Sequence, residues 1–201
     1  MLEALAATGI PVVTGTTGWY DELPRVREAV EAGGSALLYA PNFSLGVALF
    51  RRWVERAARE LEGLPDHDVA VMETHHAGKV DAPSGTARLL ADTIVDATDR
   101  KDRWVLFPGG EDRASGAPLD PGVLRVSASR VGSVPGTHEV VLDGPDDQIL
   151  LRHTARSRRG FARGALAAAE WIQGRQGLFT LDDMLRDRLG ADSGTAARAG
   201  R

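Results

Sequence analysis

Residues 68–97 read DVAVMETHHAGKVDAPSGTARLLADTIVDA. The stretch passes from a short aliphatic strand, Asp68–Glu73, through a polar segment to a helix over Thr86–Ala97. Between them stand two adjacent imidazoles, His75 and His76, an ammonium, Lys79, and the hydroxyl-rich turn Ser84-Gly85-Thr86. The first backbone N–H groups of a helix lack intrahelical partners, and the helix dipole favours anions there. Ser84 and Thr86 add hydroxyl donors, Gly85 permits close approach, and Lys79 adds a point charge. An imidazole can donate, accept or shuttle a proton near neutral pH. Together these groups suit a small, multiply anionic ligand at which a proton is moved. A lone histidine is more often structural; two of them with Lys79 and a Ser-Gly-Thr helix start point to a site.

Working outward, strands are expected at Pro11–Thr14, Ser35–Tyr39, Val123–Ser129, Thr137–Leu142 and Gln148–Thr154. The last two flank a turn-rich link, Asp143–Asp147, that suits an antiparallel hairpin. Helices are expected at Asp21–Ala32, Leu45–Leu61, Gly160–Ile172 and Thr180–Leu189. In the second of these Phe50, Val54, Ala58 and Leu61 recur at helical spacing, with Ser44 as its N-cap. Thr180 and Asp183 form a capping-box pattern. The early order strand, helix, strand, helix, strand suits a parallel α/β piece, and the later grouped strands suit a mixed sheet. Lys101–Gly122, rich in Gly, Pro and Asp, reads as an irregular connection. The resulting class is α/β with an α+β second half: a partial Rossmann-type parallel sheet and a second domain built on a mixed sheet, with the boundary near Asn42–Leu45.

Two further stretches follow strands. Gly15-Thr16-Thr17-Gly18 lets a ligand approach the backbone at the carboxyl end of a parallel strand, although it also reads as a simple Gly-rich turn. In Ala40-Pro41-Asn42-Phe43-Ser44, Asn42 offers a donor and an acceptor that suit an amide, although it also reads as a turn and helix cap. Trp19 follows the first of these turns and stands where it could border a ligand.

The bulk composition narrows the class. The chain has 201 residues, 43% apolar and 26% charged, with a net charge of −4. That balance suits a soluble globular protein and disfavours nucleic acid or an anionic membrane as partner. There is no cysteine, which excludes disulfides, thiolate metal sites and a cysteine nucleophile. No stretch reaches the ~20 apolar residues of a membrane helix, and the N-terminus lacks a signal-peptide pattern; a cytoplasmic location is expected. A metal site on His75 and His76 with Glu73 or Asp81 is disfavoured because adjacent histidines point apart and no His-x-x-x-His spacing occurs; no metal is expected.

With Gly15–Gly18, Ala40–Val47 and the run His75–Ala87 in this order, together with Phe161–Ala165 and Gly177–Phe179, the chain resembles the 4-hydroxy-tetrahydrodipicolinate reductase (dihydrodipicolinate reductase) family over nearly its whole length. The resemblance implies reduction of a cyclic dicarboxylate imine by NADH or NADPH, in the diaminopimelate route to lysine, by a homotetramer. It implies His75 as proton donor or acceptor and Lys79 as proton donor. His76, Gly85 and Thr86 would hold substrate, with Ser84 adjacent. Gly15, Thr16 and Thr17 with Ala40, Pro41, Asn42 and Phe43 would line the nicotinamide site. It also implies a division into residues 1–43 with 159–190 as an incomplete dinucleotide-binding domain, 44–158 as the substrate and oligomerisation domain, and 191–201 as a disordered tail. No two glycines stand as Gly-x-Gly, so the pyrophosphate-binding turn of a dinucleotide fold is absent from this sequence. The alternatives are a paralogue that binds a dicarboxylate but no cofactor, and a hydrolase using the histidines on a metal.

Overall fold

The computed structural model describes residues 4, 5, 8–107 and 120–190. They form two compact units: residues up to Ala48 with those from Arg159 onward, and Leu49–Arg158. The expected tail, 191–201, lies outside the described residues.

The first unit carries a three-stranded parallel sheet ordered β1 (Val12–Thr14), β2 (Ala36–Tyr39), β8 (Gly177–Thr180). Side chains alternate across β2. Leu37 faces Val26 and Val30 of α1 (Leu23–Ala32), while Ala36 and Leu38 face Ala168 and Ile172 and, in α5 (Leu181–Leu189), Met184. Ala168 belongs to α4 (Arg159–Trp171). The sheet thus lies between helices, as buried parallel strands require. The expected helix from Asp21 begins as a 3₁₀ turn, Tyr20–Glu22, because Pro24 suits the first turn of α1 and not an interior position. At the start of α5 the Thr180 hydroxyl accepts from the Asp183 N–H at 3.3 Å, and the Asp183 carboxylate accepts from the Thr180 N–H at 2.8 Å, the expected capping box.

The chain enters the second unit along α2 (Leu45–Glu60), whose first turn is capped by Ser44 Oγ accepting from the Val47 N–H at 3.3 Å. Its five strands are ordered β4 (Arg103–Leu106), β5 (Val123–Arg130), β3 (Asp68–His75), β6 (Thr137–Asp143), β7 (Gln148–Thr154). The β4–β5–β3 side is parallel and the β3–β6–β7 side antiparallel, so the sheet is mixed. Phe50, Val54, Ala58 and Leu61 pack with Leu90 and Ile94 of α3 (Gly85–Ala97) against Val69, Val71, Leu124, Val126 and Val140.

Three expectations change. The third strand of the early alternating order, β3, joins the second sheet, and β8 completes the first. Part of the stretch read as irregular, Arg103–Leu106, is an edge strand, held by parallel pairing with β5 and by Trp104 donating to Asp92 at 2.7 Å; residues 108–119 of that stretch lie outside the described residues. Gly177–Thr180, read as no strand, pairs with β2 in register Leu37↔Leu178.

Candidate functional site

β3 ends at His75, and its alternate residues Val69, Val71, Glu73 and His75 are all buried. The period-two geometry of a strand therefore places a carboxylate and an imidazole on the core face. β6 does the same in antiparallel register: His138 is in phase with Val140 and Leu142 and stands opposite Glu73. On the other side, Arg130 of β5 pairs with His75. Four chemically active side chains from three strands thus meet at one end of the sheet.

The Glu73 side chain is 0% exposed. Its Oε1 accepts from the Ser84 N–H at 3.0 Å and from Arg130 Nη2 at 3.1 Å. Its Oε2 lies 3.3 Å from His75 Nδ1 and 3.7 Å from His138 Nε2, and neither Oε2 nor His75 Nδ1 makes an aligned hydrogen bond. The two imidazoles meet edge to face, centroids 5.1 Å apart. Gly136, at φ 147°, backs the His75 ring so closely that an added Cβ would come within 2.9 Å of Nε2; a side chain there would displace the imidazole. Burial is the main force on both histidines and disfavours their charged forms. It pushes His138 down to about 4, with His75 adding to the effect. His75 is also lowered, first by burial and then by Lys79 and Arg130, against an opposing pull from Glu73 and Asp81.

Ser84 links this cluster to α3. Its hydroxyl caps the helix by accepting from the Ala87 N–H at 3.2 Å and stands 3.2 Å from His138 Nε2. Gly85 is exposed and Thr86 half-buried. A Cβ on Gly85 would meet nothing within 4 Å. The N-terminus of α3 therefore presents backbone donors to open space. Lys79 Nζ reaches Asp81 Oδ1 at 2.7 Å, an ion pair that holds the Asp81 carboxyl below its usual range. Arg130 also donates to the Asp81 carbonyl at 2.6 Å and to the Lys79 carbonyl at 3.3 Å, which ties down the loop. His76 is exposed where His75 is buried, so the adjacent imidazoles do diverge.

Glu73, His75 and His138 offer three ligand atoms within 4.8 Å of one another, a set with metal-ligand character. Arg130 on Glu73 and Lys79 nearby place positive charge against a cation there. The sequence alone pointed to His75, Lys79 and Ser84, offered Glu73 only as a metal ligand, and gave no role to His138 or Arg130. The available signal was the alternation in β3 and β6, which sets Glu73 and His138 in phase with valines and leucines.

The second candidate region lies within the first unit, at the carboxyl ends of β1 and β2. The Ala40 N–H donates to the Thr14 carbonyl at 3.2 Å, which brings the two turns side by side. A Cβ on Gly15 would lie 3.5 Å from the Phe43 ring. Gly15, Thr16, Thr17 and Pro41 are exposed, Asn42 is half-buried, and Ala40 and Phe43 are buried. Trp19 Nε1 donates to the Thr16 carbonyl at 2.9 Å and packs on Tyr39, which pins the first turn. Asn42 Oδ1 accepts from the Ser44 N–H at 2.8 Å, so its acceptor shapes the turn while its NH₂ group remains a donor.

A family model described as "Dihydrodipicolinate reductase, C-terminus" matches residues 46–185. A curated protein from Christiangramia forsetii, named 4-hydroxy-tetrahydrodipicolinate reductase, is 42% identical over 178 residues, 89% of this chain and 70% of that protein. One of the same name from Thiobacillus denitrificans is 40% identical over 185 residues, 92% of this chain and 67% of that protein. The solved structure of a dipicolinate-bound dihydrodipicolinate reductase from Paenisporosarcina sp. TG-14 superposes with a TM-score of 0.71 at 25% identity, covering 89% of this chain and 66% of that one. The chain thus spans about two thirds of the length of the proteins it matches.

Proposed function

The chain belongs to the dihydrodipicolinate reductase family of oxidoreductases, and from that premise we propose that it reduces (2S,4S)-4-hydroxy-2,3,4,5-tetrahydrodipicolinate to tetrahydrodipicolinate in the diaminopimelate route to lysine. The observation that carries this reading is the gathering, on one unit, of His75, Lys79 and the open N-terminus of α3. A dicarboxylate needs cations and N–H donors. Gly85 and Thr86 supply backbone donors at the helix start, His76 and Lys79 supply side-chain donors, and Ser84 holds the turn in place. The match to a dipicolinate-bound relative agrees with a ligand of this class.

A bound NADH or NADPH supplies the hydride. The turns Gly15–Thr17 and Ala40–Phe43 suit its nicotinamide end: small exposed residues allow close approach, and the Asn42 NH₂ can donate to a carboxamide. His75 donates or accepts the proton at the reducing centre, and Lys79 donates a proton beside it. The reaction consumes one hydride and one proton and releases water, so a protonated group must stand at the substrate. Residues 1–43 with 159–190 then act as the cofactor-binding part and 44–158 as the substrate and oligomerisation part. Met72 and Leu150, exposed on the five-stranded sheet, suit burial in a homotetramer. Among the described residues no helix is long and apolar enough to cross a membrane; the reading places the enzyme in the cytoplasm.

The test is oxidation of NADH and NADPH in the presence of freshly generated substrate. His75→Gln and Lys79→Ala should each lower turnover by about 10²–10⁴-fold, the scale of a lost proton-transfer group, while binding of pyridine-2,6-dicarboxylate persists in His75→Gln. Unchanged turnover in both variants would sink the assignment. The rival reading is a dicarboxylate binder without cofactor. Dicarboxylate binding with no NADH or NADPH binding would select it.

A further inference from the structure

Glu73 is tied at one oxygen and open at the other. Oε1 takes two donors, the Ser84 N–H and Arg130 Nη2. Oε2 is buried without an aligned partner, as is His75 Nδ1, and the two stand 3.3 Å apart. An ionised carboxylate can only accept, so the proton between them must sit on the imidazole. His138 Nε2 is the other nitrogen near Oε2, at 3.7 Å, and it has a closer partner in Ser84 Oγ at 3.2 Å. That leaves Oε2 to His75.

We infer that Glu73 is the positioning residue of His75: it accepts Nδ1–H at Oε2, fixes the ring and its tautomer, and leaves Nε2 bare to take and return a proton. This role rests on the proposed use of His75 in proton transfer. The charges facing His75 are Glu73, Asp81, Lys79 and Arg130, with His138 against its ring. Burial keeps His138 neutral near pH 7, so it brings no second positive charge to Oε2. Gly136 packs close behind the ring, where an added Cβ would come within 2.9 Å of Nε2.

The anchoring of Oε1 makes the inference sharp. In Glu73→Gln, two fixed donors select the amide oxygen at the Oε1 position. The amide NH₂ then occupies the Oε2 position and must donate to Nδ1. The tautomer of His75 would invert, with its proton on Nε2. Loss of the negative charge would also lower the His75 pKa, since Glu73 raises it.

The experiment is long-range ¹⁵N–¹H NMR on the whole chain labelled at histidine, above pH 7, beside steady-state kinetics. Wild type should show His75 protonated at Nδ1. Glu73→Gln should show Nε2–H, with kcat lower by up to about 10⁴-fold, the scale of a wrong-tautomer substitution in a catalytic triad, and KM nearly unchanged. Glu73→Asp should restore the Nδ1–H tautomer. An Nε2–H tautomer in wild type, or Nδ1–H retained in Glu73→Gln, would overturn the inference. If Glu73→Gln does not fold, the wild-type tautomer alone decides. Stoichiometric, micromolar-or-tighter zinc binding that shifts both His75 and His138 would also overturn it, by giving the three groups to a metal. Absence of turnover in wild type would strike the reductase reading and leave the tautomer result to stand by itself.

Discussion

Around His75 the protein buries charge, whereas around Gly15 and Phe43 it exposes backbone. Glu73, His75, Ser84 and His138 are all below one-tenth exposed, and Glu73, Ser84 and His138 each have a polar partner from a different element. The turns after β1 and β2 are made of small or neutral residues and owe their shape to main-chain bonds, the Thr14 hydroxyl, the Asn42 amide oxygen and one indole. Buried charge is costly unless every partner is in place, so the first region is over-determined and a single deletion should spread. A surface for close approach needs only space and orientation, so the second should tolerate substitution in stability while losing ligand.

The largest expected effect is therefore Glu73→Ala. It strips the Ser84 N–H and Arg130 of a buried acceptor, and removal of one member of such a pair costs about 3–5 kcal/mol. Urea denaturation measures it, and a loss below about 1 kcal/mol would mean that the cluster behaves as a surface network and the contrast fails.

The next effect is read from pH. His138 is pushed from 6.5 down to about 4 in the folded state. Between these values the unfolded chain binds a proton that the folded chain refuses, so stability falls as pH drops from 6.5 towards 4 and levels off below. The full difference is about 3 kcal/mol, at 1.36 kcal/mol for each pKa unit. His75 and His153 are lowered by burial too and act in the same direction. The difference between wild type and His138→Gln isolates the share of His138. Equal acid sensitivity of the two would show that His138 is solvated when folded.

A smaller effect tests the boundary of the contrast. Gly164 lies inside α4, where an added Cβ would fall 1.7 Å from the Phe43 carbonyl oxygen. Backbone cannot yield there cheaply, so Gly164→Ala should destabilise by about 1–3 kcal/mol as overpacking, less the fraction returned by the better helix propensity of alanine. Because the obstructed atom belongs to Phe43, nicotinamide-cofactor affinity should fall with it. A neutral or stabilising result would show that α4 does not seat on this turn.

What the sequence disclosed follows the same division. Long amphipathic helices and β-branched strands were legible because their periodicity is local: Phe50, Val54, Ala58 and Leu61, for example, all reach the core. β8 was not, because Gly177–Thr180 has four half-buried residues and no alternation; its strand identity comes from parallel pairing with β2. β4 is an edge strand within a Gly- and Pro-rich stretch, and tertiary pairing overrides that composition. At the site, the motif from His75 to Thr86 is contiguous and could be read directly. Glu73–His138 is a cross-strand pair with a helix and two strands between its members in the chain, so only the phase of each residue against its neighbouring valines carried the signal.

The smallest effect on the fold carries the most about the second region. Gly15 does not occupy the left-handed backbone region, and a Cβ there would meet Phe43 carbons at 3.5 and 3.7 Å and the Ala40 carbonyl at 3.8 Å, ordinary contacts all. Gly15→Ala should therefore change stability by no more than about 0.5 kcal/mol. If a nicotinamide approaches the backbone between these turns, the same methyl group stands in its way, and NADH affinity should drop about tenfold, or 1.4 kcal/mol, by fluorescence titration. Dicarboxylate affinity should not move, because its donors come from the other unit. Retained NADH affinity in a folded Gly15→Ala protein would mean that the exposed turn is only a turn, and that whatever the first unit holds, it does not hold it there.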